Sequence, residues 1–582
     1  DLHIVVVKED EQVLDIIRDV TPETILEEWV PVDTLTGLRV SICNSKGKLL
    51  LSWEPEPNEI KEVPEPAKAA LDPKDIQTTE QLYLTGLHLE QYRHATYAAT
   101  DYYEEALSRD PDDVRNNNAM GLWLIRKGQF AKAEPYLRRA VKTLTEKNPN
   151  PYDGEPLYNL GLSLKYQGKT DEAYDYFYKA CWNAAWQDAG YYSLAQLSAS
   201  KGNWEDALYE IDKSLLRNWH NLRGRHLKTV VLRHLGRVDE ALKLIRESLA
   251  IDRFNFGCSF EEYLLTGEKA VLDDLLVRMR SEGHNYEELS LDYASAGCWE
   301  EALKVVEVAF EVVASERTLL YYYKSWFLLS LGRLKEAEMA ICVAEHQPAD
   351  CCFPNALEAI KALQEVIRFA DVVPKAHYYL GNLWYDKRQY PEAIAEWEKS
   401  VEQDDTFPTV LRNLSLAYFN KQDKQQEAVA LLERAFKLDI RDARILMELD
   451  QLYKRLNRPH ADRLNLLDKL KEVAFSRDDL YLEYVTLLNQ LGRYEEAIHM
   501  IDARRFHPWE GGEGKVPAQY QLARVELVKA CLKAGENEKA LDLIEECFIY
   551  PHNLGEGKLY GAQENDFNYY KACALQALGR EA

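Results

Sequence analysis

The sequence has little with which to cross a membrane, bind a polyanion or stitch itself together by disulfides. No uninterrupted apolar run approaches the roughly 18 residues that span a bilayer, and the N-terminus lacks the basic and small-residue pattern of a secretory signal. Basic residues are scarce beside acidic ones, 71 against 97, for a formal charge of -26 and a pI near 5.1. Nucleic acid is thereby excluded as an expected partner, because affinity for phosphate backbones comes from clustered Lys and Arg. The 10 cysteines among 582 residues are too few for a disulfide scaffold, and none forms a CxxC pair or a Cys/His ligand set. A reducing, cytoplasmic setting with no metal and no cofactor is the expectation. Catalytic signatures are missing as well: there is no His-Glu-x-x-His, nucleophile elbow, calcium loop or Rossmann fingerprint. The first residue is Asp1 and not Met, so the chain is expected to be a processed or excised piece of something longer.

What is present is length, apolar content and repetition. With 46% apolar residues the chain has room for about four domains of roughly 150 residues, and global disorder is ruled out. A short phrase recurs in which a Gly closes one helix and Glu-Ala, Asp-Ala or Lys-Ala sits inside the next: Gly128 to Ala133, Gly168 to Ala173, Gly202 to Ala207 and Gly236 to Ala241. Further copies end at Ala302, Ala337, Ala393, Ala497 and Ala540. The spacings run 40, 34 and 34 from Ala133 to Ala241, and 35 from Ala302 to Ala337. That period predicts helical hairpins, each with a left-handed Gly at its turn. In the copy ending at Ala173, Leu157, Leu160, Gly161 and Leu164 make a helical stripe that faces Ala173, Phe177 and Ala180. One such pair cannot bury its apolar face alone, so it must stack on its neighbours. On these residues the sequence resembles the tetratricopeptide repeat family from about residue 80 to 582, and the expected fold class is all-α: a right-handed α-solenoid preceded by a small β segment.

The expected organisation is a β-strand segment at 1–54 ending a β domain, a Pro/Glu-rich linker at 55–79, repeat array one at 80–253, irregular repeats at 254–370, and repeat array two at 371–582 closed by a capping helix from Asn565 to Leu578. His3 to Val7 and Leu38 to Ser52, the latter broken by the turn Asn44-Ser-Lys-Gly47, predict two or three strands. A sheet that small is marginal in water by itself.

Candidate ligand-binding residues fall in four segments: His88, Tyr92, Arg93 and His94; Tyr152, Asp153 and Glu155; Trp182, Trp186, Gln187 and Asp188 with Trp219 and His220; and twin Gly-Glu-Gly-Lys loops holding Trp509, Glu510, Glu513 and Lys515, then Asn553, Glu556 and Lys558. Each tetrapeptide is expected to lead directly into a helix, where backbone N–H groups meet anions or hydroxyls. Neither is a P-loop, since the upstream Gly and the Ser or Thr after Lys are absent. A Gly-rich connection copied along with its repeat is the plainer reading. Asp153 with Glu155, and Glu510 with Glu513, are the acid pairs available for general acid-base work, although a solvated loop explains them as well. The inner surface, built by the first helix of each pair, is expected to present Arg115, Asn118, Glu155, Tyr158, Tyr166, Tyr192, Gln196, Arg223, His226, Tyr378, Asn382 and Tyr385. Such a mixture suits a sugar or a peptide. Most of the 35 Tyr must simply pack. A Lys-x-x-x-Asn grip for a peptide C-terminus is not found at matching positions, which sets aside a chaperone cofactor.

Leu84 to His94, Trp182 to Gly190, the twin loops and Gly561 to Asp566 give a closer likeness. They resemble bacterial proteins that pair an N-terminal β-sandwich of unknown function, similar to galactose-mutarotase-like sandwiches, with a long C-terminal repeat array. The resemblance implies that Asp1 to Glu54 ends such a β domain, and it implies a link to carbohydrate metabolism. Two readings follow. The first is a non-catalytic scaffold that binds a protein partner or its own upstream β domain. The alternative is the ligand-recognising half of a carbohydrate-active enzyme, a glycosidase in the first instance, with a carbohydrate ligand. Self-association stays open under either.

Overall fold

A computed structural model describes residues 1–21, 25–56, 62–66, 68–92, 94–314 and 318–580. Arg93 and part of the expected linker lie outside the described residues. Four strands come first: β1 (Leu2–Lys8), β2 (Glu11–Arg18), β3 (Leu38–Asn44) and β4 (Leu49–Trp53). They form one antiparallel sheet in the order β2-β1-β3-β4. Glu9 and Asp10, at φ 48° and 73°, make the two-residue turn between β1 and β2. The Gly47 N–H closes the next turn on the Asn44 carbonyl at 2.9 Å. Two or three expected strands are thus corrected to four. The strand missed is β2, because Glu11, Gln12, Asp15 and Arg18 interrupt its apolar positions. Its register nevertheless sets Ile16 and Leu14 opposite Ile4 and Val6, which in turn face Ile42 and Val40.

Helices account for the rest. The first unit holds α1 (Thr79–Gln91), α2 (Ala99–Arg109), α3 (Val114–Arg126), α4 (Phe130–Thr145), α5 (Glu155–Tyr166), α6 (Thr170–Ala180), α7 (Gln187–Ser200), α8 (Trp204–Arg217), α9 (Leu222–His234), α10 (Val238–Ile251), α11 (Phe256–Thr266), α12 (Lys269–Met279), α13 (Gly283–Ser295), α14 (Trp299–Val312), α15 (Thr318–Ser330), α16 (Leu334–His346) and α17 (Leu357–Phe369). Then come α18 (Pro374–Asp386), α19 (Tyr390–Gln403), α20 (Pro408–Lys421), α21 (Gln425–Leu438), α22 (Ala443–Arg455), α23 (His460–Lys469), α24 (Lys471–Ala474), α25 (Asp478–Gln490), α26 (Tyr494–Asp502), α27 (Lys515–Ala534), α28 (Asn537–Glu546) and α29 (Asn565–Ala577). Packing divides the chain into two compact units, Asp1–Asp371 with Asn382–Gln389, and Val372–Gly381 with Tyr390–Ala582. Among the described residues no helix is long and apolar enough to cross a membrane, and all 10 cysteines are free.

The repeat phrase has a direct structural meaning. Gly128, Gly168, Gly202 and Gly236 stand at φ 75°, 77°, 75° and 72° between the helices of a pair. The next residue donates its N–H to a carbonyl five positions back, as Lys169 does to Leu164 at 2.9 Å, a bond that satisfies the end of the first helix. Where glycine is absent, Arg388, Asp423 and Asn457 hold the same left-handed turn at φ 60°, 53° and 55°.

Within a pair the helices meet where a methyl group is missing. A β-carbon on Gly161 of α5 would stand 2.6 Å from the Phe177 ring of α6. Gly86 has the same relation to Tyr103 at 2.5 Å, Gly121 to Leu137 at 2.4 Å, and Gly381 to Trp397 at 2.4 Å. Leu157, Leu160, Leu164, Ala173, Phe177 and Ala180 are all buried around that contact, as their spacing predicts. The breaks in the period hold ordered helices too. Residues 254–284 contain α11 and α12 joined at Gly267-Glu268, and α17 lies in the second break, between Ala337 and Ala393.

Gly161→Ala tests this contact. Alanine favours a helix interior by about 1 kcal/mol, yet forcing a carbon into the ring costs about 1–3 kcal/mol. A net loss of stability in urea is therefore expected. Adding Phe177→Leu is expected to return part of it, and strict additivity of the two changes would refute the steric account.

Candidate functional site

The first helices of successive pairs in the first unit line a cavity of about 780 Å³. α5 supplies Tyr158, Leu162, Lys165 and Tyr166, α7 supplies Tyr192 and Gln196, and α9 supplies Arg223. α13 adds Glu288, Asp292 and Ser295, α15 adds Trp326, and α17 adds Glu358, Lys361 and Glu365. Five of the residues expected on the inner surface, Tyr158, Tyr166, Tyr192, Gln196 and Arg223, are therefore here. His226 lines an adjoining cavity of about 240 Å³, which shares Arg223, Glu288 and Asp292 with the first.

Polar groups in the cavity are bonded in short chains. Lys165 Nζ donates to Gln196 Oε1 at 2.5 Å, and Gln196 Nε2 donates to Ser295 Oγ at 2.7 Å. The Tyr166 hydroxyl donates to Glu358 at 3.0 Å across 192 residues of sequence. Arg223 pairs with Glu288 at 2.8 Å and with Asp292 at 3.4 Å. Burial raises the Asp292 carboxyl to about 6 against the pull of Arg223. It lowers the Lys165 ammonium to about 8, with Glu358 opposing. The Tyr192 and Tyr166 phenols are pushed up, first by burial and next by the charges of Asp292 and Glu358 respectively.

His226 carries one of the buried side-chain polar atoms without a hydrogen-bond partner among the described residues. It is 4% exposed, and its Nε2 has no hydrogen-bond partner. Its ring meets Tyr293 edge-on at 4.7 Å, and a β-carbon on Gly257 would lie 2.3 Å from it. Burial, then the charges of Arg233 and Arg223, lower it from 6.5 to about 3.

The other expected surface residues are held within the array. Asn118 accepts from Asn159 at 2.9 Å, Arg115 pairs with Glu80 at 3.2 Å, and Tyr378, Asn382 and Tyr385 sit on α18.

The four candidate segments do not converge on this cavity as a group. In the first, the His88 and Tyr92 rings meet at 4.5 Å, and His94 Nδ1 accepts the Thr96 and Tyr97 N–H groups at 3.2 and 3.1 Å, all at the surface. In the second, Tyr152 is exposed, its carbonyl bonded by Asn183. Asp153 accepts the Glu155 N–H at 2.9 Å, a capping bond at the start of α5. The third is partly inward: Trp186 stacks on the cavity residue Tyr158 at 4.9 Å. Gln187 and Asp188 accept from Arg217 at 2.6 Å and from Ser214 and Asn218 at 2.9 Å, which ties α7 to the end of α8. Trp182 lies under Lys179 at 3.5 Å, Trp219 under Arg225 at 4.5 Å, and His220 is exposed.

The twin loops belong to the second unit, and they do meet. Glu556 of the second accepts the Gly514 N–H of the first at 2.7 Å, and Asn553 bonds the Ile501 and Arg504 carbonyls at 3.0 and 3.2 Å. Trp509, Glu510, Glu513 and Glu556 line a pocket of about 230 Å³ there, with the indole against Gly512. Their equal sequences take unequal backbones: Gly514 is left-handed at 75°, whereas in the second loop Gly555 is, at 76°. Lys515 opens α27 as expected. The second loop is a correction, because residues 559–564 separate Lys558 from α29 and Lys558 pairs with Glu564 at 2.8 Å.

His234, Cys298 and Glu301 bring their ligand atoms within 4.8 Å of one another. The chemistry there is that of an ion-pair knot. Glu301 already binds Arg233 at 2.8 Å and His234 at 3.0 Å, and burial pushes the Cys298 thiol far up. A metal would have to displace the arginine and ionise that thiol.

The repeat geometry agrees with known families. A Tetratricopeptide repeat family model matches residues 374–407, and a second of the same description matches 154–181, the α5–α6 hairpin that walls the cavity. Tetratricopeptide repeats are present in this chain. Among solved structures, MamA protein is similar at 22% identity over 30% of this chain and 91% of that one, with a TM-score of 0.26. The structure of Naa15/Naa10 bound to HypK-THB is similar at 13% identity over 86% and 78%, TM-score 0.25, and yeast Tom70 at 12% over 73% and 96%, TM-score 0.21.

Two outcomes are expected. Between pH 6.5 and about 3 the unfolded chain binds a proton at residue 226 that the folded chain refuses, so folding weakens as acid is added. His226→Gln is expected to flatten the slope of unfolding free energy against pH by about 1.4 kcal/mol per unit; an unchanged slope would contradict the assignment. Glu556→Ala is expected to speed amide exchange at Gly514 by about tenfold or more with the middle of α27 still protected, and exchange at the native rate would show that the loops are not coupled.

Proposed function

We propose that the inner face of the first unit binds an extended segment of a protein partner. The observation that supports this reading is that two neighbouring cavities share Arg223, Glu288 and Asp292 in their walls, so that polar and aromatic groups of several first helices lie side by side. Their walls combine Tyr158, Tyr166, Tyr192 and Trp326 with Arg223 and carboxylates, the residue types that anchor protein interfaces. First helices of a stacked array present such surfaces by construction. The upstream β domain implied by resemblance is one source of the segment, and a separate protein is the other.

A second reading, a carbohydrate ligand, rests on the twin-loop pocket, where Trp509 stands beside Glu510, Glu513 and Glu556. The two readings use different units. Against a library of unstructured peptides, Tyr192→Ala and Trp326→Ala are expected to weaken binding by about tenfold or more each, in the range of interface anchors, while Trp509→Ala leaves it unchanged. Peptide binding that is indifferent to Tyr192 and Trp326 rejects the first reading. Glycan binding lost with Trp509→Ala selects the second.

A further inference from the structure

Apart from Arg223, the polar side chains that line the adjoining cavity of about 240 Å³ have acceptors to offer. Asn255 and Asn285 turn their amide N–H groups to the backbone, donating to the Leu222 and Met279 carbonyls at 3.3 and 2.9 Å. Each is left with its amide oxygen, and that of Asn255 spends one of two lone pairs on the Cys258 N–H at 3.1 Å. His226 lines the same wall at 4% exposure, and its Nε2 has no hydrogen-bond partner among the described residues. A buried polar atom left unmet is costly. Burial, then the charges of Arg233 and Arg223, keep the ring neutral, so one of its nitrogens carries a lone pair. Charge points the same way. Two carboxylates, Glu288 and Asp292, share the wall with one cation, Arg223, which pairs with them at 2.8 and 3.4 Å. With His284, 3.9 Å from Glu288, in its neutral form, one negative charge is left over, in a chain whose formal charge is -26. Phe254 and Phe256 add flat apolar surface, their rings edge to face at 6.2 Å.

We propose that this cavity is a guanidinium site: an arginine side chain of the bound segment enters it and donates to Asp292, Glu288 and His226 Nε2, with its flat face against the phenylalanines. A guanidinium answers such a wall because it carries five N–H donors, no acceptor and a permanent charge on a planar body that stacks on aromatic rings. Lysine brings the charge without the plane, and a carboxylate or phosphate would meet acceptors and like charge. Arg223, its side chain 60% exposed, already shows a guanidinium pairing with both acids. Each carboxylate has two oxygens and about four acceptor positions, so it can serve a second guanidinium without releasing the first. The inference deepens the protein-partner reading and rests on it, since it says what the segment must carry. The negative field of the chain draws such a segment in.

The test titrates the full chain with N-acetyl-arginine amide and with N-acetyl-citrulline amide, which has nearly the same shape and no charge, each followed by ligand-observed NMR. Arginine is expected to bind about tenfold more tightly or better, as charge-assisted bonds to carboxylates require. Asp292→Asn and Glu288→Gln are each expected to cut that preference to about twofold or less, while Trp509→Ala in the second unit leaves it intact. Circular dichroism shows which variants stay folded, and Glu288, its side chain 43% exposed, serves if the Asp292 variant does not. Equal affinity for the two probes overturns the proposal. So does a preference that survives both substitutions in folded protein, which is what arginine drawn to the acidic surface at large would give. Peptide binding that depends on Tyr192 and Trp326 without favouring arginine overturns this inference and leaves the protein-partner reading standing. Arginine selectivity lost with Asp292→Asn, in a chain that binds no peptide, rejects the protein-partner reading and keeps the guanidinium site.

Discussion

The structure depends on a contact from which one carbon has been left out. Gly86, Gly121, Gly161 and Gly381 let a Tyr, Leu, Phe or Trp from the second helix lie directly on the backbone of the first. Close approach of this kind buries the small residues at the crossing as well as the ring, so each hairpin has a dry interior before it meets its neighbour. The left-handed turn that follows is the second half of the same device. It reverses the chain within three residues, so that the ring on the second helix comes back over the glycine of the first. With crossing and turn fixed, the remaining apolar stripe on each pair has one place to go, which is the next pair.

Because the hairpin interior is so standardised, it was legible from the sequence. The Gly turns, the stripe Leu157, Leu160 and Leu164, and the terminal helix near Asn565 all follow from spacing and side-chain size. So did part of the inner surface, since Tyr158, Tyr166, Tyr192, Gln196 and Arg223 occupy the side of the first helix that the stripe leaves open. What was illegible depends on contacts far apart in the chain. Nothing local to Tyr166 announces Glu358, and nothing local to Lys165 announces Gln196. β2 was missed because its polar positions break the alternation that marks a strand. The second Gly-Glu-Gly-Lys loop matches the first in residues, but its tertiary setting turns the backbone the other way.

Several segments rich in histidine, aromatic and acidic residues carry bonds within the array. Asp153 caps a helix, Gln187 and Asp188 fasten one pair to the end of the next helix, and Trp182 and Trp219 lie under cations. The cavity draws on Tyr158, Tyr166, Tyr192, Gln196 and Arg223, which the sequence placed on the inner surface.

α17 packs on α15, reaches Tyr166 of α5 through Glu358, and sets Ile360 where a β-carbon on Gly128 would be 2.4 Å away. A spring clipped to a bar at two points cannot gain or lose a coil between the clips. Duplicating or deleting one hairpin from α5 to α15 would carry an anchor away by a whole repeat, so copy number is locked in this stretch. An array that would otherwise grow by slippage has been made countable.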